Sequence, residues 1–118
     1  MDPQHRVFLE CAWEAFENAG YNPEDFKGPI GVFGGVGQNT YFQKNLITRP
    51  DLIEMAGHYP VMIGSEKEYA ITRVSFKLNL KGPAISLNTA CSTSAVAIHI
   101  ACQSVISGEC DMAIAGGA

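Results

Sequence analysis

The sequence predicts an α/β fold, in which helices are layered against a sheet. Segments with helical apolar periodicity alternate with short apolar strands, and turns containing glycine or proline separate them. The predicted order is helix, strand, irregular segment, helix, strand, helix, strand, which is typical of α/β architecture. A chain of 118 residues, 47% of them hydrophobic, can bury one modest core.

The composition argues against nucleic-acid and membrane partners. The net charge is −4 and no basic run occurs. We expect no apolar stretch of the ~18 residues that span a bilayer, and the first residues lack a signal-peptide apolar segment. The cysteines, at positions 11, 91, 102 and 110, show no CxxC spacing, so no metal site is expected. We therefore predict a cytoplasmic protein with free thiols.

The first helix is predicted to begin after Asp2, an N-cap followed by Pro3, and to end at Gly20 in a left-handed C-cap. His5 is expected to be solvated or hydrogen-bonded, without a catalytic role. Cys11 is expected to be buried. Two i,i+4 rows are predicted to face the core: Val7, Cys11, Ala15 and Ala19, and beside them Phe8, Ala12 and Phe16.

Residues 30–36 are predicted to form a short strand that ends in glycines. Gly34-Gly-Val-Gly37 lacks the spacing of a phosphate-binding loop, so its glycines indicate close backbone approach instead. Residues 38–63 are less informative. A short helix over 41–47 is predicted to break at Arg49-Pro50-Asp51, and His58 is placed in a loop, with a surface or packing role favoured over a general base.

A second helix is predicted from a capping box, Ser65-Glu-Lys-Glu68. Its apolar row is Ala70, Val74 and Leu78. Arg73 and Lys77 can keep their charged tips in solvent. A basic patch for a carrier protein is conceivable there, but an exposed polar face is the favoured interpretation.

The most informative segment is the strand, turn and helix around Cys91. Residues 84–89 alternate as in a strand, and the apolar run after Ser94 covers nearly every face of a helix, which predicts burial on most sides. Cys91 would lie at the helix N-terminus, where free N–H groups and the helix dipole favour a thiolate and can stabilise an oxyanion. Spacing alone leaves a buried structural cysteine equally open.

The later residues are assigned structural roles. His99 lies eight residues after Cys91, or about 12 Å along a helix, which is too far for direct proton transfer. Cys102 is expected on the packing surface of the helix. Cys110 is expected to be buried at the start of a strand over residues 112–117.

The motif Asn88-Thr-Ala-Cys91-Ser-Thr-Ser94 resembles the active site of β-ketoacyl synthases, in particular the ketosynthase domains of modular type I polyketide synthases. His5, Asn88 and Thr93 replace the glutamine, aspartate and serine that are common in the family, and none of these changes removes the nucleophile. Further matches follow in the family's order: Asp2-Pro-Gln-His-Arg6, Leu9-Glu-Cys-Ala-Trp-Glu-Ala15, Gly31-Val-Phe-Gly34, Arg73-Val-Ser-Phe76, Leu80-Lys-Gly-Pro83, Ala101-Cys-Gln-Ser104, Gly108-Glu-Cys-Asp111 and Ala115-Gly-Gly117.

The resemblance implies the N-terminal half of a thiolase-like fold, layered α-β-α-β-α and usually dimeric, with the strand before Cys91 at the two-fold axis. It implies that Cys91 accepts an acyl chain from an acyl carrier protein or coenzyme A and that a malonyl-type extender then condenses with it. No cofactor is implied beyond the phosphopantetheine that carries the substrates. The two histidines of the family lie further along its sequence, and His5, His58 and His99 do not replace them.

Residues 1–118 are accordingly expected to be a partial domain, an internal fragment truncated at both ends. Alone, it is expected not to condense and to expose apolar surface. A non-elongating ketosynthase or an inactive structural or docking remnant stays open. A coenzyme A-dependent thiolase-type enzyme is disfavoured by the Asp2–Arg6 motif. A cysteine hydrolase is disfavoured because no histidine is placed to serve Cys91.

Overall fold

The computed structural model describes residues 2–37, 49–57 and 67–118. The predicted alternation of helices and strands is confirmed, with one additional short helix. The elements are α1 (Pro3–Ala19), β1 (Ile30–Gly35), α2 (Pro50–Ala56), α3 (Tyr69–Lys77), β2 (Ala84–Ser86), a 3-10 turn (Ala90–Ser92), α4 (Thr93–Ser107) and β3 (Met112–Gly117).

The strands form a three-stranded parallel sheet in the order β2-β1-β3. The central strand β1 is buried along its whole length. In the register, Val32 lies opposite Ala84 on one side and Ile114 on the other. Because parallel strands end at the same edge, the segments that follow β1, β2 and β3 meet there.

Helices cover both faces of the sheet. Ile30 and Val32 point to one face, where they join buried side chains of α1 and α3, including Phe8 and Val74. Phe33 points to the opposite face, where its cluster consists of Ala97 and Ala101 of α4 and of Cys110. This alternation is the period of two that a strand imposes on its side chains.

The ends of α1 are as predicted. The Asp2 carboxylate accepts a 2.9 Å hydrogen bond from the Gln4 N–H, and Gly20 has a φ of +80° at the C-cap. Half of the predicted stripe is correct, since the row Phe8, Ala12 and Phe16 is buried.

The other predicted row of α1 is wrong. Val7 is 45% exposed and Cys11 is exposed. The helix packs with its Phe8 row inward, so Val7, Cys11 and Ala15 instead border a groove of about 320 Å³ beside the end of β3. His5 is fully buried, so it is not solvated, and the hydrogen-bonded alternative of the prediction remains.

Two helix starts differ from the sequence prediction. Pro50 and Asp51 lie in α2, with proline in the first turn, where its missing N–H costs nothing, and the helix they were predicted to break lies outside the described residues. Helix α3 begins at Tyr69, and Glu68 makes no side-chain capping bond. The proposed partner Ser65, the helix over 41–47 and His58 lie outside the described residues.

The segment around Cys91 differs from expectation in extent. The strand is shorter, Ala84–Ser86. Helix α4 is not buried on most sides: within the described part of the chain its buried residues are Ala97, Ala101 and Ser104, whereas Ile98 is 53% and Ile106 85% exposed. Cys102, expected in the packing surface, is exposed. One sheet covers only one face of a helix, which explains these exposures.

The expectation that no apolar stretch reaches the length of a bilayer is wrong. Ala90–Ser107 comprises 18 residues with a mean hydropathy of 1.3, and it qualifies by length and composition as a membrane span. A core helix of a soluble protein meets the same criteria, and α4 packs against β1 and β3, although only 17% of this window is buried in the described structure.

Candidate active site

The turn between β2 and α4 lies at the carboxyl edge of the sheet. After β2 ends, the Leu87 N–H still donates a 2.9 Å hydrogen bond to the Gly34 carbonyl, which ties the chain to β1. The 3-10 turn Ala90–Ser92 follows, and α4 begins at Thr93. The structure therefore places Cys91 in the turn directly before the helix, as the sequence predicted, and its side chain is exposed.

Ala90 has a φ of +56°, in the left-handed region. A residue with a Cβ adopts this conformation at a cost of ~1–2 kcal/mol, so it persists only where neighbouring contacts enforce it. This left-handed residue directly precedes Cys91 in the 3-10 turn. Sequence reasoning missed this feature, because alanine carries no signal for a positive φ.

Hydroxyl groups hold the turn together. Thr93 Oγ1 donates to the Ala90 carbonyl at 2.8 Å and accepts from the Thr89 N–H at 3.0 Å. Ser92 Oγ donates to the Thr89 carbonyl at 2.8 Å. Although Ser92 is the N-cap of α4, its side chain makes no capping bond within the described structure, so the first N–H groups of α4 carry no side-chain cap.

A cleft of about 480 Å³ opens beside Cys91. Its walls come from all three strand ends and from the start of α4. The lining residues are Gly35, Val36, Gly37, Asn88, Ala90, Cys91, Thr93, Ser94, Gly117 and Ala118.

Glycines allow the cleft walls to approach so closely. A Cβ on Gly35 would collide with the Leu87 carbonyl oxygen and lie 3.0 Å from Thr93 Cγ2. A Cβ on Gly34 would lie 2.5 Å from the Gly116 carbonyl oxygen. The prediction that the Gly34–Gly37 segment marks close backbone approach is confirmed.

The other cysteines and histidines that the structure describes do not line the cleft beside Cys91. Cys110 is 1% exposed, as predicted, and burial raises the pKa of its thiol; Glu109 and Asp111 raise it further, while a backbone hydrogen bond at Gly31 opposes them. His99 is exposed on α4. Among the described residues, no group of three or more His, Cys, Asp or Glu is placed to hold a metal.

Fold and turn define a class: an α/β protein with a cysteine presented at a strand-to-helix turn beside an open cleft. A family model described as "Beta-ketoacyl synthase, N-terminal domain" matches residues 1–118. The chain belongs to the β-ketoacyl synthase family and corresponds to its N-terminal domain.

Relatives among known proteins are polyketide synthases. Over an alignment of 123 positions, the chain is 46% identical to one component of the phenolphthiocerol/phthiocerol polyketide synthase of Mycobacterium tuberculosis. Over 118 positions, it is 43% identical to the pikromycin synthase component PikAIII of Streptomyces venezuelae. Each match covers 99% of this chain, but only 8% and 7% of the relatives' lengths.

Solved ketosynthases share the fold. Ketosynthase twelve of the bacillaene synthase of Bacillus amyloliquefaciens matches with a TM-score of 0.82 and 34% identity, over 99% of this chain and 20% of that one. The module 6 bacillaene ketosynthase of Bacillus subtilis 168 matches with a TM-score of 0.73 and 41% identity, over 99% and 18%. The predicted fold class, the N-terminal part of a thiolase-like fold, is confirmed.

Proposed function

We propose that this chain supplies the nucleophilic cysteine of a polyketide ketosynthase, and that residues 1–118 are part of a larger acyltransferase domain. The observation that carries the proposal is the position of Cys91, exposed at the strand-to-helix turn and lining a cleft of about 480 Å³. The family membership and the polyketide synthase relatives support the same chemistry.

In the first half-reaction, the Cys91 thiolate attacks the carbonyl carbon of an acyl thioester. A bond forms between Sγ and that carbon, the bond to the phosphopantetheine sulfur breaks, and the released thiolate takes a proton to become the free thiol. The Thr93 N–H donates to the Ala90 carbonyl, but the N–H groups that follow it in the first turn of α4 lack a side-chain cap and can stabilise both the thiolate and the oxyanion that develops during attack.

In the second half-reaction, a malonyl-type extender loses carbon dioxide and its carbanion attacks the Cys91 thioester. A carbon–carbon bond forms, the carbon–sulfur bond breaks, and Cys91 is released as a thiolate. Covalent catalysis of this kind divides one difficult transfer into two easier steps. Histidines elsewhere in the complete protein would support the decarboxylation, because His99 lies exposed along α4 and no histidine lines the cleft among the described residues.

The proposed partners follow from this chemistry. Acyl carrier protein delivers both substrates on phosphopantetheine, and no other cofactor is needed. We place the complete protein in the cytoplasm as a homodimer that binds neither nucleic acid nor membrane, with α4 as an interior helix.

The test is product formation by the complete protein, supplied with an acyl-pantetheine and a malonyl-loaded carrier protein. Cys91→Ala should abolish the β-ketoacyl product. Cys102→Ala is the matched control, since Cys102 is also exposed and lies on α4. Full activity of Cys91→Ala would overturn the proposal. Acylation of Cys91 without carbon–carbon bond formation would instead identify a non-elongating ketosynthase.

A further inference from the structure

Thr93 makes two hydrogen bonds that span the strained residue of the turn. Its hydroxyl donates to the Ala90 carbonyl at 2.8 Å and accepts from the Thr89 N–H at 3.0 Å. These are the carbonyl of Ala90 itself and the N–H of the residue before it. One side-chain oxygen thus bridges the backbone on both sides of the φ of +56°, and the Thr93 N–H also donates to the Ala90 carbonyl.

We propose that Thr93 is a positioning residue: its hydroxyl holds Ala90 in the left-handed conformation and thereby aims Cys91 into the cleft. This inference rests on the proposed role of Cys91 as the nucleophile. In this role Thr93 acts through Ala90 and not through contact with the substrate.

The contacts of the neighbouring residues support a role of Thr93 at Ala90 that Ser92 does not share. Among the described residues, Ser92 Oγ hydrogen-bonds to Thr89, through its carbonyl and its hydroxyl, each at 2.8 Å, so it holds the start of the turn and not Ala90. The Thr93 methyl faces Gly35, where an added Cβ would lie 3.0 Å from it. The Thr93 methyl therefore lies on the side of Gly35, while its hydroxyl is directed at the turn.

The proposal makes the hydroxyl essential and the methyl secondary. Thr93→Val keeps the shape and removes the hydroxyl, whereas Thr93→Ser keeps the hydroxyl and removes the methyl. Ala90→Gly provides a second background for the Thr93 variants. Glycine adopts a positive φ without a steric penalty, so residue 90 should then depend less on the Thr93 hydroxyl. Thr72→Val is the matched control: the Thr72 hydroxyl also donates to a carbonyl three residues earlier, at 3.3 Å, but on α3 and in solvent.

The experiment measures the rate of Cys91 acylation by an acyl-pantetheine in the complete protein. Since a displacement of about 1 Å can cost on the order of a hundredfold in rate, we expect Thr93→Val to slow acylation at least tenfold. Thr93→Ser should stay within about threefold of the parent protein, and Thr72→Val should not change the rate. In the Ala90→Gly background, Thr93→Val should cost a clearly smaller factor.

Three results would overturn the proposal: Thr93→Val within threefold of the parent, Thr93→Ser as slow as Thr93→Val, or an equal cost of Thr93→Val in both backgrounds. Should Thr93→Val not fold, the double variant with Ala90→Gly decides. The double variant must fold and become acylated at Cys91, because glycine adopts the left-handed conformation without the Thr93 hydroxyl. Failure of the double variant to do so would contradict the proposal.

A second readout separates this inference from the proposed function. Absence of acylation in the parent protein would defeat the nucleophile assignment. Alkylation of Cys91 by iodoacetamide at fixed pH then still tests the role of Thr93: Thr93→Val should slow alkylation, and Thr93→Ser should restore the parent rate. An unchanged alkylation rate in Thr93→Val would overturn the positioning role.

Discussion

At the scale of single residues, the turn before α4 depends on glycines, whose lack of a Cβ leaves space for neighbouring atoms. Gly35 lies where a Cβ would collide with the Leu87 carbonyl oxygen and press on the Thr93 methyl. By contrast, a Cβ on Gly20 would meet nothing within 4 Å, although its φ of +80° disfavours a side chain. These two glycines are needed for different reasons, one for space and one for conformation.

We expect Gly35→Ala to be the more damaging of the two substitutions. Overpacking costs about 1–3 kcal/mol, and here it also displaces the backbone that carries Cys91. Gly20→Ala should cost only about 1 kcal/mol, from its positive φ, and leave Cys91 reactivity unchanged. Thermal unfolding together with the Cys91 alkylation rate measures both effects; equal losses of reactivity in the two variants would contradict this account of the cleft.

Cys110 is expected to differ from the other cysteines in reactivity. It is 1% exposed and burial raises the pKa of its thiol, so iodoacetamide should modify it last at pH 8, after Cys11, Cys91 and Cys102. Cleavage after Glu109 separates Cys110 from Cys91 and Cys102 for mass spectrometry. Early modification of Cys110 in the folded protein would show that the Phe33 cluster is open.

The same shift predicts a loss of stability at alkaline pH. The pKa of Cys110 is raised above its ordinary value of 9.0, chiefly by burial, so the unfolded chain releases this proton at lower pH than the folded chain does. Stability should therefore fall as pH rises from about 9 toward the raised pKa. In Cys110→Ala, the stability should fall less steeply over this pH range than in the parent protein. Thermal unfolding between pH 8 and 11 can measure the difference.

Some residue roles were predictable from sequence and others were not. The position of Cys91 followed from a change of period, from two before it to helical after it. The left-handed Ala90 did not, because intrinsic preference gives alanine no reason to adopt it, and a local hydrogen bond from the Thr93 hydroxyl to the Ala90 carbonyl accompanies it instead. Cys11 and Cys102 were wrongly assigned to the core, since the tendency of cysteine to be buried does not decide which row of a helix faces inward.

At the scale of elements, α1 shows which features of a helix are set by neighbouring residues and which by packing. Both its ends were predicted from Asp2, Pro3 and Gly20, because capping depends on neighbouring backbone groups alone. Its core face was half predicted, because two adjacent apolar rows satisfy the same periodicity and only packing against β1 and α3 selects the Phe8 row. The start of α2 was missed because a proline that ends one helix also suits the first turn of another.

The Asp2 cap can be tested by a pair of substitutions. The Asp2 side chain accepts a 2.9 Å bond from the Gln4 N–H and is buried. Asp2→Ala should lower the free energy of unfolding by about 1 kcal/mol, and Asp2→Asn, which keeps an acceptor oxygen, should retain most of it. Thermal unfolding compares the two; equal losses would mean that Asp2 acts through its charge and not as a cap.

At the scale of the whole molecule, the described residues cover both faces of the sheet but leave much of α4 uncovered. Ile98 is 53% exposed and Ile106 is 85% exposed. The sequence indicated an all-round apolar helix, which is the pattern of an interior element. The chain spans 8% of the Mycobacterium relative and 20% of the ketosynthase twelve structure, so most of the matched molecules lies outside this segment.

We expect residues 1–118, expressed alone, to bind a dye such as ANS more strongly per molecule than the complete protein does. Exposed apolar side chains of α4 and the Val7 row supply the surface. The isolated segment should also form no β-ketoacyl product. Weak dye binding together with a monodisperse monomer would contradict the view that α4 is an interior helix.

The most direct test of the central claim is the location of the acyl group after the complete protein reacts with an acyl-pantetheine. No Lys or Arg lies between Gly82 and Ala118, so trypsin leaves Cys91, Cys102 and Cys110 in one peptide, and fragment ions must assign the adduct. We predict a thioester on Cys91 that persists in Cys102→Ala and is lost in Cys91→Ala. An acyl group on another residue, or none at all, would contradict the account.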